Sequence, residues 1–181
     1  MLRLELDAEH GTIHIPSSYL DLRENAAGIE QIEPARQHRP LRGLLAALNS
    51  GESLFSSVAC VTWTKEVPQA AQTVEFGSRV DVIFTKQRHN FERDTYESLG
   101  SQLRVLLDME AGGDTLAAEI CVLRCAFDKA ARPGYALRLI LTGHGSTPQQ
   151  AELRWSLGVA HLQQALLFLS RTVRQQQALS N

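Results

Sequence analysis

His144 stands in the run Thr142-Gly-His-Gly-Ser-Thr147, the stretch whose residue types come nearest to chemistry. An imidazole titrates near neutral pH and can carry a proton in either direction. Glycines, hydroxyls and the free N–H groups of a following helix can hold an anion. The run lacks the Gly-Lys-Ser/Thr ending of a phosphate loop and the spaced glycines of a dinucleotide turn. Ser146, Thr147 and Pro148 are also the residues of a helix start, which accounts for them without a ligand. His144 is therefore retained as the single catalytic candidate, with helix capping as the preferred reading.

The remaining reactive side chains point away from a site. Cys121 and Cys125 have a C-x3-C spacing. On a strand this puts them about 13 Å apart, too far for one metal ion. With Cys60 they lie in apolar runs, so all three are expected to be reduced, buried thiols. The six histidines form no H-x3-H or H-E-x-x-H pattern on a helix; His10 and His14 are four apart across an expected turn and strand. No metal and no cofactor are expected. Lys86-Gln-Arg-His-Asn-Phe-Glu-Arg93 is locally basic, but Glu92 and Asp94 dilute it and a solvated loop end is preferred. There is no Gly-x-Ser-x-Gly, and the carboxylate pairs Glu92/Asp94 and Asp108/Glu110 fall on polar surfaces.

Composition narrows the class further. The chain has 181 residues, 44% of them hydrophobic, with 18 basic and 20 acidic side chains and a net charge of -2. No global basic excess points to nucleic acid. The N-terminus alternates charged and apolar residues, unlike a secretory signal, and no apolar run reaches membrane length. A single domain over residues 1–181 in the cytoplasm is expected, without nucleic acid or membrane partners.

The elements that would position these residues follow from periodicity. Leu2, Leu4 and Leu6 alternate with Arg3 and Glu5, and Thr12 to Ile15 alternates after Asp7–Gly11, so the two read as an N-terminal hairpin. Residues 17–40 form a loop-rich connection broken by Pro34 and Pro40. Pro40 then starts a helix with Leu41, Leu44, Leu45 and Leu48 on one stripe. Next comes a long antiparallel hairpin. Ala59, Val61, Trp63 and Val67 share a face of its first strand, and Val74, Phe76, Val80, Val82 and Phe84 share a face of the second. One face of the hairpin is expected to be core and the other wet, with Gly77 marking a bulge. Residues 91–109 favour a helix over a strand. Leu116–Phe127 reads as a two-sided central strand, and Tyr135–Leu141 as one more strand.

The last element carries the strongest pattern. Thr147 caps, Pro148 opens, and Gln150 completes a Thr-x-x-Gln box. Trp155, Val159, Leu162, Leu166, Leu169 and Val173 then recur at helical spacing, widened by Leu153, Leu157, Ala160, Leu167 and Phe168. A helix over 148–177 would be roughly 45 Å long, with a frayed polar tail over 175–181.

The fold class is therefore α+β, an antiparallel sheet of about six strands with helices on one face and the long C-terminal helix across it. The run Gly11-Thr-Ile-His-Ile-Pro16, a middle helix, and a strand passing through Thr142 into a final helix resemble the Mog1/PsbP/DcrB-like layout. A sheet gripping a long C-terminal helix also resembles the START-like helix-grip layout. Neither resemblance carries over any site residue.

Three functional readings follow. The preferred one is a non-catalytic binding or protein-interaction domain that self-associates into a homodimer through the C-terminal helix. The second is a carrier of a small apolar ligand in a pocket between sheet and helix. Both use the seam of Trp155, Val159, Leu162, Leu166, Leu169 and Val173. The third is an enzyme using His144 in the 142–147 loop.

Overall fold

Alternating residues tell a strand which face to bury but not which way to run, and the N-terminus shows the difference. The computed structural model describes residues 2–6, 12–67, 73–110, 117–128, 130 and 132–179. The turn expected at Asp7–Gly11 and residues 68–72 of the long hairpin lie outside them, as do Leu116 and the last two residues. Strands β1 (Leu2–Leu6) and β2 (Ile13–Ile15) do not pair with each other. Both run parallel to β5 (Ala117–Phe127), with Leu4 opposite Ile120 and His14 opposite Ala126. They share one edge of the sheet, so the expected hairpin is replaced by two collinear pieces.

The sheet is consequently mixed rather than antiparallel and has five strand positions, in the order β1-β5-β6-β4-β3 with β2 beside β1 on β5. Strands β3 (Phe55–Glu66), β4 (Val74–Phe84) and β6 (Gly134–Gly145) are antiparallel to their neighbours, as is β5 to β6. The segment 17–40 holds a 3-10 turn at Ala26–Gln31 and the short helix α1 (Glu33–Gln37), with Pro34 in its first turn. Helix α2 (Arg39–Leu48) buries Leu41, Leu44, Leu45 and Leu48. Helix α3 spans Arg93–Glu110, as its period suggests. Helix α4 runs from Pro148 through Leu179, about 48 Å at 1.5 Å per residue. It crosses β6 and β4, with α2 on the β3 side and α3 towards β1 and β5. Among the described residues no helix is long and apolar enough to cross a membrane.

The start of α4 is capped by two hydrogen bonds. The Gln150 backbone N–H donates to Thr147 Oγ1 (3.2 Å), and the Gln150 side chain accepts from the Ser146 hydroxyl (2.8 Å). The box thus closes on Ser146, one residue earlier than the spacing suggests. Gly143 lets the helix approach: a Cβ there would strike the Ala151 carbonyl and the Trp155 backbone. Trp155, Val159, Leu162, Leu166 and Leu169 are buried in the main core with Phe76, Val80, Leu137 and Leu139. Leu153, Leu157 and Phe168 do not widen that buried stripe. They are 63%, 53% and 56% exposed and form an outer apolar line. The far end of α4 is tied down by Arg174, whose Nη2 donates to the carbonyl of Gly51 (2.7 Å).

Gly77 does not mark a bulge: it pairs in regular register with Trp63. The register slips instead between Ser57 and Ala59 of β3. One extra residue reverses the parity of everything after it. Phe55 and Ser57 pair with Phe84 and Val82 on the helix-covered face. Beyond the slip, Ala59, Val61 and Trp63 pair with Asp81, Arg79 and Gly77 on the opposite face. The apolar line of β3 therefore points away from the helices. Gly77 gives the Trp63 indole room to lie against the strand.

Asn49, at the end of α2, organises the slip. Its Nδ2 donates to the Leu45 carbonyl (2.7 Å) and the Ser57 hydroxyl (2.8 Å). Its Oδ1 accepts from Ser56 Oγ and Ser57 N, both at 3.1 Å. Asn49→Ala leaves several buried polar groups unpaired at about 1–3 kcal/mol each. The expected result is a loss of about 2–4 kcal/mol in urea unfolding. An unchanged midpoint would show that the bulge holds without it.

Candidate functional site

A recess opens where the sheet ends between α3 and the last turns of α4, and its shape begins with Asn90. Strand β4 stops at Phe84, and the Asn90 side chain takes the place of a neighbouring strand there. Its Oδ1 accepts from Phe84 N (2.8 Å) and the Tyr96 hydroxyl (2.7 Å), and its Nδ2 donates to the Phe84 carbonyl (2.9 Å). The chain turns away through a 3-10 segment at Gln87–Phe91 and enters α3. Tyr96 is anchored in the core beneath, and burial raises the pKa of its hydroxyl.

Turning the chain there leaves a groove of about 380 Å3. Leu54, Phe55, Phe84, Leu99, Leu169 and Val173 line its apolar part, and Thr85, Lys86, Asp94, Thr95, Ser98 and Gln102 contribute polar groups. His89 also lines it, with Nδ1 2.9 Å from Glu92 Oε2. Thr95, Ser98 and Gln102 repeat at helical spacing on α3, and the small Ser98 side chain leaves the gap open.

The seam of α4 divides at this groove. Trp155, Val159, Leu162 and Leu166 are sealed in the core, whereas Leu169 and Val173 reach the recess. Sequence reasoning missed Phe84, Leu99 and Ser98 as site residues. The available signal was the polar line Thr95, Ser98 and Gln102 running beside the apolar line Tyr96, Leu99 and Leu103.

His144 lies elsewhere. Residues 142–145 are the last of β6 rather than a loop, and only Ser146 and Thr147 turn into α4. The His144 side chain is 42% exposed on the helix-free face, with Nε2 3.2 Å from Glu75 Oε2. Glu75 also accepts from Trp63 Nε1 (2.8 Å) and Lys65 Nζ (3.0 Å). Burial alone would raise the Glu75 pKa, but the Trp63, Lys65 and His144 contacts outweigh it and hold the carboxyl below its ordinary value. The pair orients an imidazole against a carboxylate, and among the described residues no serine or cysteine is hydrogen-bonded to the ring.

Same-face charges on β4 and β6 are joined in a buried pair. Arg138 Nε and Nη2 donate to the two oxygens of Asp81 at 2.8 and 2.9 Å. The face expected to be wet is thus dry at its centre.

The cysteines sit apart from both places. Cys121 and Cys125 are buried, and the Cys121 thiol donates to Glu119 Oε1 (3.2 Å). Burial pushes the Cys60 and Cys125 thiols up to about 12. Since the thiolate is the reactive form, neither should react with Ellman's reagent at pH 8 in the native protein. Both should react once it is unfolded in guanidinium. Rapid native labelling at either residue would contradict this environment. Among the described residues no group of three or more His, Cys, Asp or Glu side chains is placed to hold a metal. His14 Nε2 instead meets Asp128 at 2.7 Å.

No protein-family model, curated protein or solved structure matches this chain. The two layout resemblances therefore gain no structural counterpart.

Proposed function

We propose that the protein is a non-catalytic binding domain that holds a small, largely apolar ligand in the groove between α3 and the end of α4. The observation that carries this reading is the groove itself: six apolar side chains lining a recess of about 380 Å3. Ligand sites commonly occupy about 300–1,000 Å3, with an apolar lining and a few polar groups that fix orientation. The polar groups on α3 suit a hydroxyl or similar head at the mouth, with the hydrocarbon against Phe84, Leu99 and Leu169.

The test is thermal unfolding with and without 1-decanol. Binding to the folded state alone raises the midpoint with ligand concentration. Ser98→Trp should fill the groove from its exposed rim, leave the ligand-free midpoint unchanged and abolish the ligand-induced rise. An equal response from both proteins, or none from either, would refute the groove as an apolar-ligand site.

A second reading is favoured by a different observation. Leu153, Leu157 and Phe168 form an exposed apolar line along α4, suited to pairing with another copy of the chain. Sedimentation over a wide concentration range should then show a dimer that Leu157→Glu dissociates. A monomer at every concentration excludes it.

A further inference from the structure

The face of the sheet opposite the helices carries a second recess, created by the parity reversal in β3. The register sets Trp63, Gly77, Thr142 and Ala117 in one row across four strands. Three of these residues are small, so the row is a trough. On one side stand Lys65, Glu75 and His144. On the other, Arg79, Ile140 and Glu119 are aligned by the same register. Trp63, Lys65, Glu75, Glu119, Ile140 and Thr142 line the resulting space of about 370 Å3.

Trp63 is held like a platform. The indole lies against Gly77, where a side chain would collide with its six-membered ring, and Nε1–H is fixed on Glu75 at 2.8 Å. Two constraints on one ring leave it little rotational freedom. A preorganised aromatic surface beside hydroxyl and carboxylate groups suits a molecule with an apolar ring face and hydroxyls around its edge.

The charges select between ligand classes. Lys65 is paired with Glu75 at 3.0 Å. Arg79 stands in the same row as Glu119. Acids and bases therefore alternate across the trough, which offers no single-sign field to an ion. Acceptor oxygens of Glu119 and Thr142 call for hydroxyl donors. Ile140 and Ala117 supply further apolar contact next to the indole.

We propose that this trough binds a neutral hexopyranoside, with the sugar's C–H face stacked on Trp63 and its hydroxyls bonded to Glu119 and Thr142. The site lies on the opposite face of the sheet from the α3–α4 groove, so each stands or falls without the other.

The indole N–H signals provide a direct readout, because the only other tryptophan, Trp155, is buried under α4 and bonded to Ser78. The 15N-labelled protein would be titrated with methyl β-glucopyranoside, methyl α-mannopyranoside, methyl β-galactopyranoside and cellobiose. At least one should shift the Trp63 signal saturably, with a dissociation constant of about 1–10 mM, and leave Trp155 still. In Trp63→Ala, the shifts that the glycoside causes at the Thr142 and Glu119 backbone amides of the wild type should disappear. Glu119→Gln should weaken binding at least fivefold (about 1 kcal/mol), and it carries the test if the tryptophan variant fails to fold. The proposal is overturned if no probe moves the Trp63 signal at about 50 mM, well above that range. It is equally overturned if Glu119→Gln binds like the wild type, or if adenosine shifts Trp63 and the glycosides do not.

Discussion

Asp81→Ala is expected to destabilise the protein by about 3–5 kcal/mol, because it strands the Arg138 guanidinium in a buried position. Asp81 and Arg138 are only 3% and 6% exposed, and Arg138 spends both Nε and Nη2 on this one carboxylate. Arg79 Nε lies 3.9 Å from Asp81 Oδ2 and is itself buried without a hydrogen bond. Removing the carboxylate therefore takes the shared counter-charge from both Arg138 and Arg79. Chemical unfolding reads the loss directly. In a chain of this length it corresponds to a fall of roughly 6–20 °C in Tm. The double variant Asp81→Leu/Arg138→Met should recover most of it, since a packed apolar pair requires no charge compensation. If the double variant proved as unstable as the single one, the buried pair would not be the cause.

Trp155→Ala is expected to cost about 3–5 kcal/mol, the usual range for deleting a large buried aromatic side chain. Trp155 is the largest fully buried side chain, and Nε1 donates to Ser78 Oγ at 2.9 Å. Its ring meets Phe76 at 4.7 Å and His38 at 5.6 Å between centroids, both edge-on. His38 in turn lies between α1 and α2, with Nδ1 2.8 Å from Glu152 of α4. The indole thus joins α4, β4 and the α1–α2 junction at one point. Trp155→Phe should retain most of the burial and lose the Ser78 bond, at a cost of about 1–3 kcal/mol. Urea unfolding of the two variants separates packing from hydrogen bonding. Equal losses would mean that Ser78, not the ring, is decisive.

Much of this was legible in the chain. The seam Trp155–Leu169, the cap at Thr147, the leucine stripe of α2 and the helix at α3 follow from spacing, because a 3.6-residue period admits one buried face. The alternation of β4 placed Phe76, Val80, Val82 and Phe84 correctly in the core. Three features were not legible, each for a definite reason. The direction of β1 and β2 depends on which strand they join, and alternation is blind to direction. The outward face of Ala59, Val61 and Trp63 depends on one slipped residue, and a pattern of apolar side chains reads the same on either face. The long stripe of α4 was read as wider than its buried part, since exposure of Leu153, Leu157 and Phe168 depends on where α2 and α3 stop.

Both recesses belong to the same class of hidden information. The α3–α4 groove exists because the Asn90 side chain ends β4 and turns the chain into α3, and Asn90 lies in a basic run that reads simply as a solvated loop. The trough exists because Asn49 holds a bulge eight residues further on, at Ser57. An asparagine amide can imitate a strand neighbour or cap a helix equally well, and only its partners decide which.

Periodicity along the chain by itself determined which residues form α2, α3 and α4 and which face α2 buries, since local geometry and apolar spacing suffice for that. Only the tertiary structure decided the direction of the N-terminal strands, the face shown by Trp63, and the two recesses. Those outcomes rest on hydrogen bonds and contacts between residues distant in sequence, and no period in the chain encodes them.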